Sequence, residues 1–283
     1  MGIGRILGRL ALAGAGAVAS QGIQAALRGS SLAGDLERTN FRGSTVSLAG
    51  GPALAVSAAV TSAAGARTGR AATAALVAGL GSGAVGFYDD AVGGRPEHKA
   101  KGFRGHLGAL REGRVTSGLV KIAGVGAAGL AASALLTRAR GRGPVATVAD
   151  AALGAGVIAG AANLFNLLDL RPGRALKAGL IAGAPLATGR AGGLVAGPLG
   201  AAAASMPQDL AEETMLGDCG ANALGALLGT AFVARTGPGG RLAALAVLAG
   251  LTAASEKVSF TKVIESTPGL RELDALGRIP RDR

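Results

Sequence analysis

Apolar residues along this chain occur in long blocks, separated by short segments that carry most of the charge. The blocks are roughly 16 to 25 residues long, the length that an α-helix needs to cross a hydrocarbon layer about 30 Å thick. The pattern predicts an all-α fold, a multi-pass transmembrane helical bundle of about nine to ten helices. The predicted spans are residues 4–27, 43–65, 70–88, 115–136, 144–165, 175–189, 191–206, 220–235 and 240–255.

The composition supports a membrane protein. Only 16% of the 283 residues are charged, which is low for a soluble chain of this length. The 50 glycines are mixed with Leu, Val and Ile, which favours helices packed closely over small residues rather than the alternative, a flexible linker. We expect a single integral membrane domain over residues 1–283, with residues 256–283 as a cytoplasmic C-terminal tail. Residues 1–27 are interpreted as a retained first span rather than a signal peptide, because no clear cleavage site follows them.

The loops divide into two sets that must lie on opposite faces of the membrane. Two spans separate successive members of one set, so all of its members share a face. These loops carry more of the Lys and Arg residues, which predicts that they face the cytoplasm of a cell (cytoplasmic) membrane. The cations on the other face argue against this orientation: Arg5, Arg9 and the cluster Arg138, Arg140 and Arg142. The first set comprises residues 28–42, 89–114, 166–174, 207–219 and 256–283.

Charge and cysteine content exclude several classes of function. The net charge is +12, but the cations are spread over many loops, so nucleic acid is not expected as a partner. The pattern instead suits membrane topology and an anionic substrate. A single cysteine, Cys219, excludes an intrachain disulfide and a cysteine metal cluster.

Nearly all carboxylates lie in the first set of loops. Asp89 and Asp90 end the third span in "GFYDD", and Asp218 stands at the mouth of the eighth span in "MLGDCGANALG". Carboxylates at a membrane surface are unfavourable without a partner, and two adjacent ones repel each other. A divalent cation would relieve both effects, and Mg²⁺ prefers oxygen ligands from one or two carboxylates together with substrate phosphates. We therefore predict a metal-assisted phosphoryl-transfer site at the cytoplasmic surface. The alternative for the aspartate pair alone is a solvated helix end.

Further polar residues can be assigned to the same site. Asn163, Asn166 and Asp169 recur at i, i+3 and i+6 in "NLFNLLD", within one arc of about 120° on a helix. The two asparagines could instead form hydrogen bonds between helices. The loop that follows the aspartate pair could hold phosphates or serve only as a topology signal. Its candidate residues are Lys99, Lys101, Arg104 and His106.

Two ionisable residues lie inside predicted spans. Lys121 is about two turns into the fourth span, where its side chain could either extend to the surface or face the site. Asp150 lies near the outer end of the fifth span, and we expect it to serve local structure rather than catalysis.

Taken together, these motifs resemble those of the polyprenyl-phosphate phosphoglycosyltransferases, the family of phospho-N-acetylmuramoyl-pentapeptide transferase and the UDP-N-acetylhexosamine 1-phosphate transferases. "TNFRG", which contains Asn40 and Arg42, resembles the family's first cytoplasmic loop, and "GFYDD" resembles its aspartate pair. "NLFNLLD" resembles its Asn-x-x-Asn-x-x-Asp signature, and "LGDCGANALG" resembles its Gly-Asp-x-Gly motif. The order and spacing of the motifs agree over most of the chain.

The resemblance implies about ten helices around a cytoplasmic cleft and an Mg²⁺-dependent reaction. In that reaction a polyprenyl phosphate attacks a UDP-sugar, receives its sugar 1-phosphate and releases UMP. By position, Asp218 would bind the metal, and Asp89 and Asp90 would orient or deprotonate the lipid phosphate. Asn166 and Asp169 would contact the nucleotide or the metal-bound phosphate. The implied partners are the membrane, the lipid and the UDP-sugar, with a homodimer as an open alternative to a monomer.

The chain also departs from the family. The second aspartate that usually follows Asp169 is missing, as are a lysine after the aspartate pair and a histidine-rich loop. The pattern resembles a shorter branch that carries "DLRPGRALK" and "KGFRGHL", in which Arg171 and Arg174 could replace the lysine as phosphate ligands. Two other functions stay open: a non-catalytic relative that binds polyprenyl phosphate or nucleotide and regulates envelope assembly, and a small-solute transporter. An inverted repeat would favour the transporter, and the sequence shows none.

Overall fold

The computed structural model describes residues 2–95, 102–137 and 143–280, and these residues are almost entirely helical. The helices of the described residues are α1 (Ile3–Arg28), α2 (Gly50–Ala64), α3 (Gly69–Val92), α4 (Gly102–Arg111), α5 (Ser117–Thr137), α6 (Pro144–Leu168), α7 (Arg174–Leu186), α8 (Gly192–Leu210), α9 (Gly217–Arg235), α10 (Pro238–Ser255), α11 (Phe260–Ser266) and α12 (Leu270–Ala275). Each predicted span overlaps one helix, from 13 residues in α7 to 26 in α1, so the all-α prediction is confirmed.

The second predicted span, residues 43–65, is partly wrong. Its first residues form a small antiparallel hairpin of β1 (Glu37–Thr39) and β2 (Thr45–Ser47), and α2 begins only at Gly50. Ser47 also accepts a hydrogen bond from the amide of Met215 at 2.9 Å. The backbone N–H and C=O groups of β2 thus find hydrogen-bond partners in β1 and near Met215, so this segment does not have to be helical.

Helix α9 lies at the centre of the bundle, with α3, α6 and α2 packed around it. Small residues permit this packing. A Cβ at Gly225 of α9 would lie 2.5 Å from the carbonyl oxygen of Ala161 in α6, closer than any real Cβ contact. The abundant glycines therefore serve backbone-to-backbone contact between helices.

Four helices in the described part of the chain, α1, α3, α5 and α6, are long and apolar enough to cross a membrane. A fifth span results if α10 and α11, which meet at a bend of 94°, are counted together. These helices are compatible with a membrane protein.

The loop residues that share a face in the sequence-based prediction meet at one end of the bundle. At this end α1 contacts the end of α8 through an Arg28–Glu213 ion pair of 3.2 Å. The opposite end carries a contact between Arg9 and the carbonyl of Gly189. We call the first the acidic end, because the predicted carboxylates lie there.

A buried ion pair fixes the other end of the bundle. Arg241 of α10 donates to Asp150 of α6 at 2.8 Å, and the two side chains are 0% and 1% exposed. Arg241 also donates to the carbonyl of Val233 at 2.8 Å. Asp150 thus links α6 to α10, which is the structural role expected for it from the sequence.

Candidate active site

Three charged side chains from three helices meet at the acidic end. The Lys121 ammonium of α5 lies 2.6 Å from Asp89 of α3 and 2.5 Å from Asp218 of α9. Asn166 of α6 donates a hydrogen bond to the other oxygen of Asp218. Lys121 therefore faces the site, which decides between the two orientations that the sequence left open. All four side chains are partly accessible.

Asp90 has a different environment from its neighbour Asp89. Its two carboxylate oxygens accept the backbone amides of Asp218 and Cys219, both at 2.9 Å. These amides belong to the first turn of α9, where no intrahelical partner exists for them. Asp90 therefore caps α9 from the neighbouring helix and fixes the position of Asp218.

Two glycines make this cap possible. Gly217 has a φ of +58°, and a Cβ there would lie 2.8 and 2.9 Å from the two Asp90 oxygens. A Cβ at Gly86 of α3 would lie 2.3 Å from the carbonyl oxygen of Asp218. Gly217, the glycine of the Gly-Asp pair, is thus required for two reasons. Its backbone is left-handed, and a side chain there would collide with Asp90 of α3.

Asp169 keeps the helical hydrogen bond of α6, because its amide donates to the carbonyl of Phe165 at 3.1 Å. It follows the last residue of α6, with a ψ of 43°. Desolvation, together with the charges of Asp209 and Asp218, raises the pKa of Asp169 well above its ordinary value of 3.8. Asp169 thus lies close enough to Asp218 to feel its charge, at the end of the helix that carries Asn163 and Asn166.

Asp209 also lies at the acidic end, although no sequence motif marks it. This residue, near the end of α8, accepts the amide of Gly173 at 2.5 Å and so caps the first turn of α7. Asp209 belongs to the predicted loop 207–219, which the sequence assigns to the set of loops at the acidic end. The sequence therefore predicts the end of the bundle on which Asp209 lies, but not its contact with α7.

A cavity of about 690 Å³ opens beside the charged cluster. Asn163, which donates to Thr252 of α10 at 3.1 Å, lies in its wall. Asn222, which is 2% exposed, also lines the cavity, and its Nδ2 atom has no hydrogen-bond partner among the described residues. The remaining wall combines apolar residues such as Ile122 and Val125 with polar ones such as Glu256. The cavity thus brings charged and apolar side chains together.

The loop that contains Asn40 and Arg42 lies against the end of α8. The Asn40 amide donates to Glu212 at 2.6 Å, and the Arg42 guanidinium lies 2.9 Å from the same carboxylate. Arg171 stacks over the ring of Phe41 at 4.5 Å. These contacts hold the loop at the acidic end, and none of them involves Asp89 or Asp218.

Arg174, predicted to bind phosphate, contacts the C-terminal tail instead. Its guanidinium donates two hydrogen bonds to Asp274 of α12, at 2.8 and 2.9 Å, and one to Thr261 at 2.9 Å. Lys177 donates to the carbonyl of Asp274 at 2.8 Å. An anion that bound Arg174 would compete with the tail.

The remaining predicted residues lie in the loop after α3. Lys99 and Lys101 are outside the described residues. Arg104 and His106 belong to α4, of which the backbone is described but not these two side chains. Their roles stay predictions.

In the described residues, no group of three or more His, Cys, Asp or Glu side chains is arranged to hold a metal ion. The two carboxylates beside Lys121 form a smaller set of hard oxygen donors, which is the type that Mg²⁺ completes with phosphates and water. Comparisons with protein-family models, with curated proteins and with solved structures find no match to this chain.

Proposed function

We propose that the protein is a multi-pass enzyme of the cytoplasmic membrane that transfers a sugar 1-phosphate from a UDP-sugar to a polyprenyl phosphate and releases UMP, in cell-envelope glycan synthesis. The observation that carries the proposal is the cluster of Asp89, Lys121 and Asp218 in the wall of a cavity that apolar residues of α5 and α6 also line. A lipid phosphate needs both environments side by side. The resemblance of four sequence motifs to the phosphoglycosyltransferases agrees with this reading.

The residues fit Mg²⁺. Asp89 and Asp218 place carboxylate oxygens around one ammonium nitrogen, so their arrangement favours a cation at this position. With Asp169 close to Asp218, these side chains would hold the ion, and phosphates would supply further oxygens. When bound, Mg²⁺ would offset the negative charge of the reacting phosphates.

The reaction requires one bond to form and one to break. An oxygen of the lipid phosphate forms a bond to the phosphorus that carries the sugar. The bond from that phosphorus to the oxygen bridging it to UMP breaks, and UMP leaves with the electron pair. Asp89 would orient the lipid phosphate and accept its proton, while Lys121 donates to phosphate oxygens. Asp90 positions Asp218 through α9.

The unpartnered amide of Asn222 supports a bound ligand in the same cavity. A buried hydrogen-bond donor without an acceptor destabilises the folded protein, and a polar ligand atom that accepted its hydrogen bond would remove this penalty. Asn163 and Asn166 border the same space. These amides would recognise the nucleotide or the sugar.

The test is a UMP-release assay with purified protein, polyprenyl phosphate, Mg²⁺ and a panel of UDP-sugars. We expect Asp218→Asn to reduce the rate at least about 100-fold, since even indirect loss of a metal partner costs 10 to 100-fold. Asp35→Asn, an exposed carboxylate change near the acidic end, should leave the rate unchanged. Equal rates for Asp218→Asn and the parent would refute the proposal.

One observation favours a second function. Arg171 and Arg174, predicted to grip phosphates, are engaged with Phe41 and Asp274. A non-catalytic relative that binds polyprenyl phosphate or nucleotide would need fewer phosphate ligands. Saturable binding of polyprenyl phosphate without UMP release from any UDP-sugar would support this regulatory role.

A further inference from the structure

A second cavity, of about 280 Å³, lies at the end of the bundle opposite the acidic end. Four arginines line it: Arg5 and Arg9 of α1, Arg67 between α2 and α3, and Arg190 before α8. None of the described residues that line the cavity is acidic. This concentration of positive charge, without a carboxylate among the described lining residues, would attract an anion.

The backbone around this cavity is closely packed. Arg9 donates to the carbonyl of Gly189 at 2.5 Å, and a Cβ at Gly192 would lie 2.6 Å from the Arg9 guanidinium carbon. A Cβ at Gly65 would lie 2.0 Å from the carbonyl oxygen of Gly193. Glycines at these positions therefore let the arginine and the ends of α2 and α8 meet.

Helix ends add to the positive potential. Helices α1 and α8 both begin beside the cavity, and the amino end of a helix carries a partial positive charge. Arg5 lies in the first turn of α1, where an acidic residue would be the favourable choice and none is present. The sequence thus places cations where the helix itself disfavours them, which a bound anion would explain.

We propose that this cavity binds a phosphate-bearing anion, either the headgroup of an anionic lipid or free phosphate. Guanidinium groups bind phosphate through paired hydrogen bonds, and several can share its oxygens. Leu12 of α1 lines the same cavity, so an apolar side chain lies beside the arginines. The site is separate from the acidic end and does not depend on the proposed transferase activity.

The test uses full-length, delipidated protein in detergent. Lipid binding is followed by native mass spectrometry with phosphatidylglycerol or phosphatidylcholine, and phosphate binding by the shift in thermal unfolding with inorganic phosphate. The double variant Arg67→Gln/Arg190→Gln changes two exposed cavity residues. Its matched control, Arg70→Gln/Arg271→Gln, removes the same charge from exposed positions outside the cavity.

We expect the cavity variant to bind the anion at least about tenfold more weakly, since each lost charge-assisted hydrogen bond has an effect of this order. The control should bind as the parent does. A preference for phosphatidylglycerol that only the cavity variant loses identifies a lipid headgroup. Stabilisation by inorganic phosphate without a lipid preference, again lost only in the cavity variant, identifies free phosphate.

Two results would overturn the site. One is that neither ligand binds the parent protein. The other is that the cavity variant and its control lose binding equally, because the effect would then reflect total charge. Matching elution and helical circular dichroism of both variants show that they are folded.

Discussion

Asp274 of α12 attaches the C-terminal tail to the acidic end of the bundle. Its carboxylate accepts two hydrogen bonds from Arg174, and Arg278 lies 2.5 Å from one of its oxygens. Both side chains of the Arg174–Asp274 pair are at most 6% exposed. Replacing Asp274 by asparagine would leave the Arg174 charge buried without a carboxylate.

The expected cost follows from this geometry. Removing one partner of a buried ion pair costs about 3 to 5 kcal/mol. We expect the lower end, about 3 kcal/mol, because Thr261 and the remaining amide oxygen still accept hydrogen bonds from Arg174. If the tail opens locally, amide exchange in α11 and α12 should accelerate about 100-fold.

Hydrogen–deuterium exchange of the detergent-solubilised protein measures this effect on peptides that cover residues 260–280. Glu265→Gln, an equal change of charge at an exposed position of α11, is the matched control and should alter exchange less than about threefold. If Asp274→Asn exchanges no faster than the control, the Arg174–Asp274 pair does not hold the tail. Faster exchange of α9 to the same degree would show global unfolding instead of release of the tail.

The same contact predicts a pH dependence. Burial raises the pKa of Asp274, but Arg174 and Arg278 outweigh it and hold this pKa below its ordinary value of 3.8. A carboxyl group with a lowered pKa contributes stability that is fully present above the ordinary pKa and lost as pH falls through the folded-state value. After correction for intrinsic rates, tail exchange should stay constant from about pH 8 to pH 5 and accelerate below about pH 4. Asp274→Asn should not show this acid acceleration.

Two further predictions concern packing and are measured by thermal unfolding in detergent. Gly200→Ala should lower the unfolding temperature by several degrees, because its Cβ would lie 1.9 Å from the carbonyl oxygen of Ala13 and force α1 and α8 apart. Gly14→Ala, which has open space, should not destabilise, and equal losses would contradict the explanation. Asp150→Asn should cost about 3 to 5 kcal/mol, because it leaves the buried Arg241 without its carboxylate. An unchanged unfolding temperature would show that this pair does not stabilise the bundle.

The sequence predicted the helices well because the length of an apolar block is a local property. Predicted span 144–165 corresponds to α6, and predicted span 240–255 to α10. The start of α2 was wrong, since β2 pairs with a strand six residues earlier and with the segment near Met215. Such pairing depends on distant partners and leaves no mark in local hydropathy.

The sequence by itself also determined which polar residues share an end of the bundle, because each helical crossing reverses the direction of the chain. Asp89, Asn166 and Asp218 meet as that alternation requires. Only the tertiary structure decided their partners: Lys121 faces the site, Asp90 caps α9 and Arg174 holds the tail. Alternation of the helices fixes the end on which a side chain lies, whereas rotation and close packing of the helices decide which atoms it contacts.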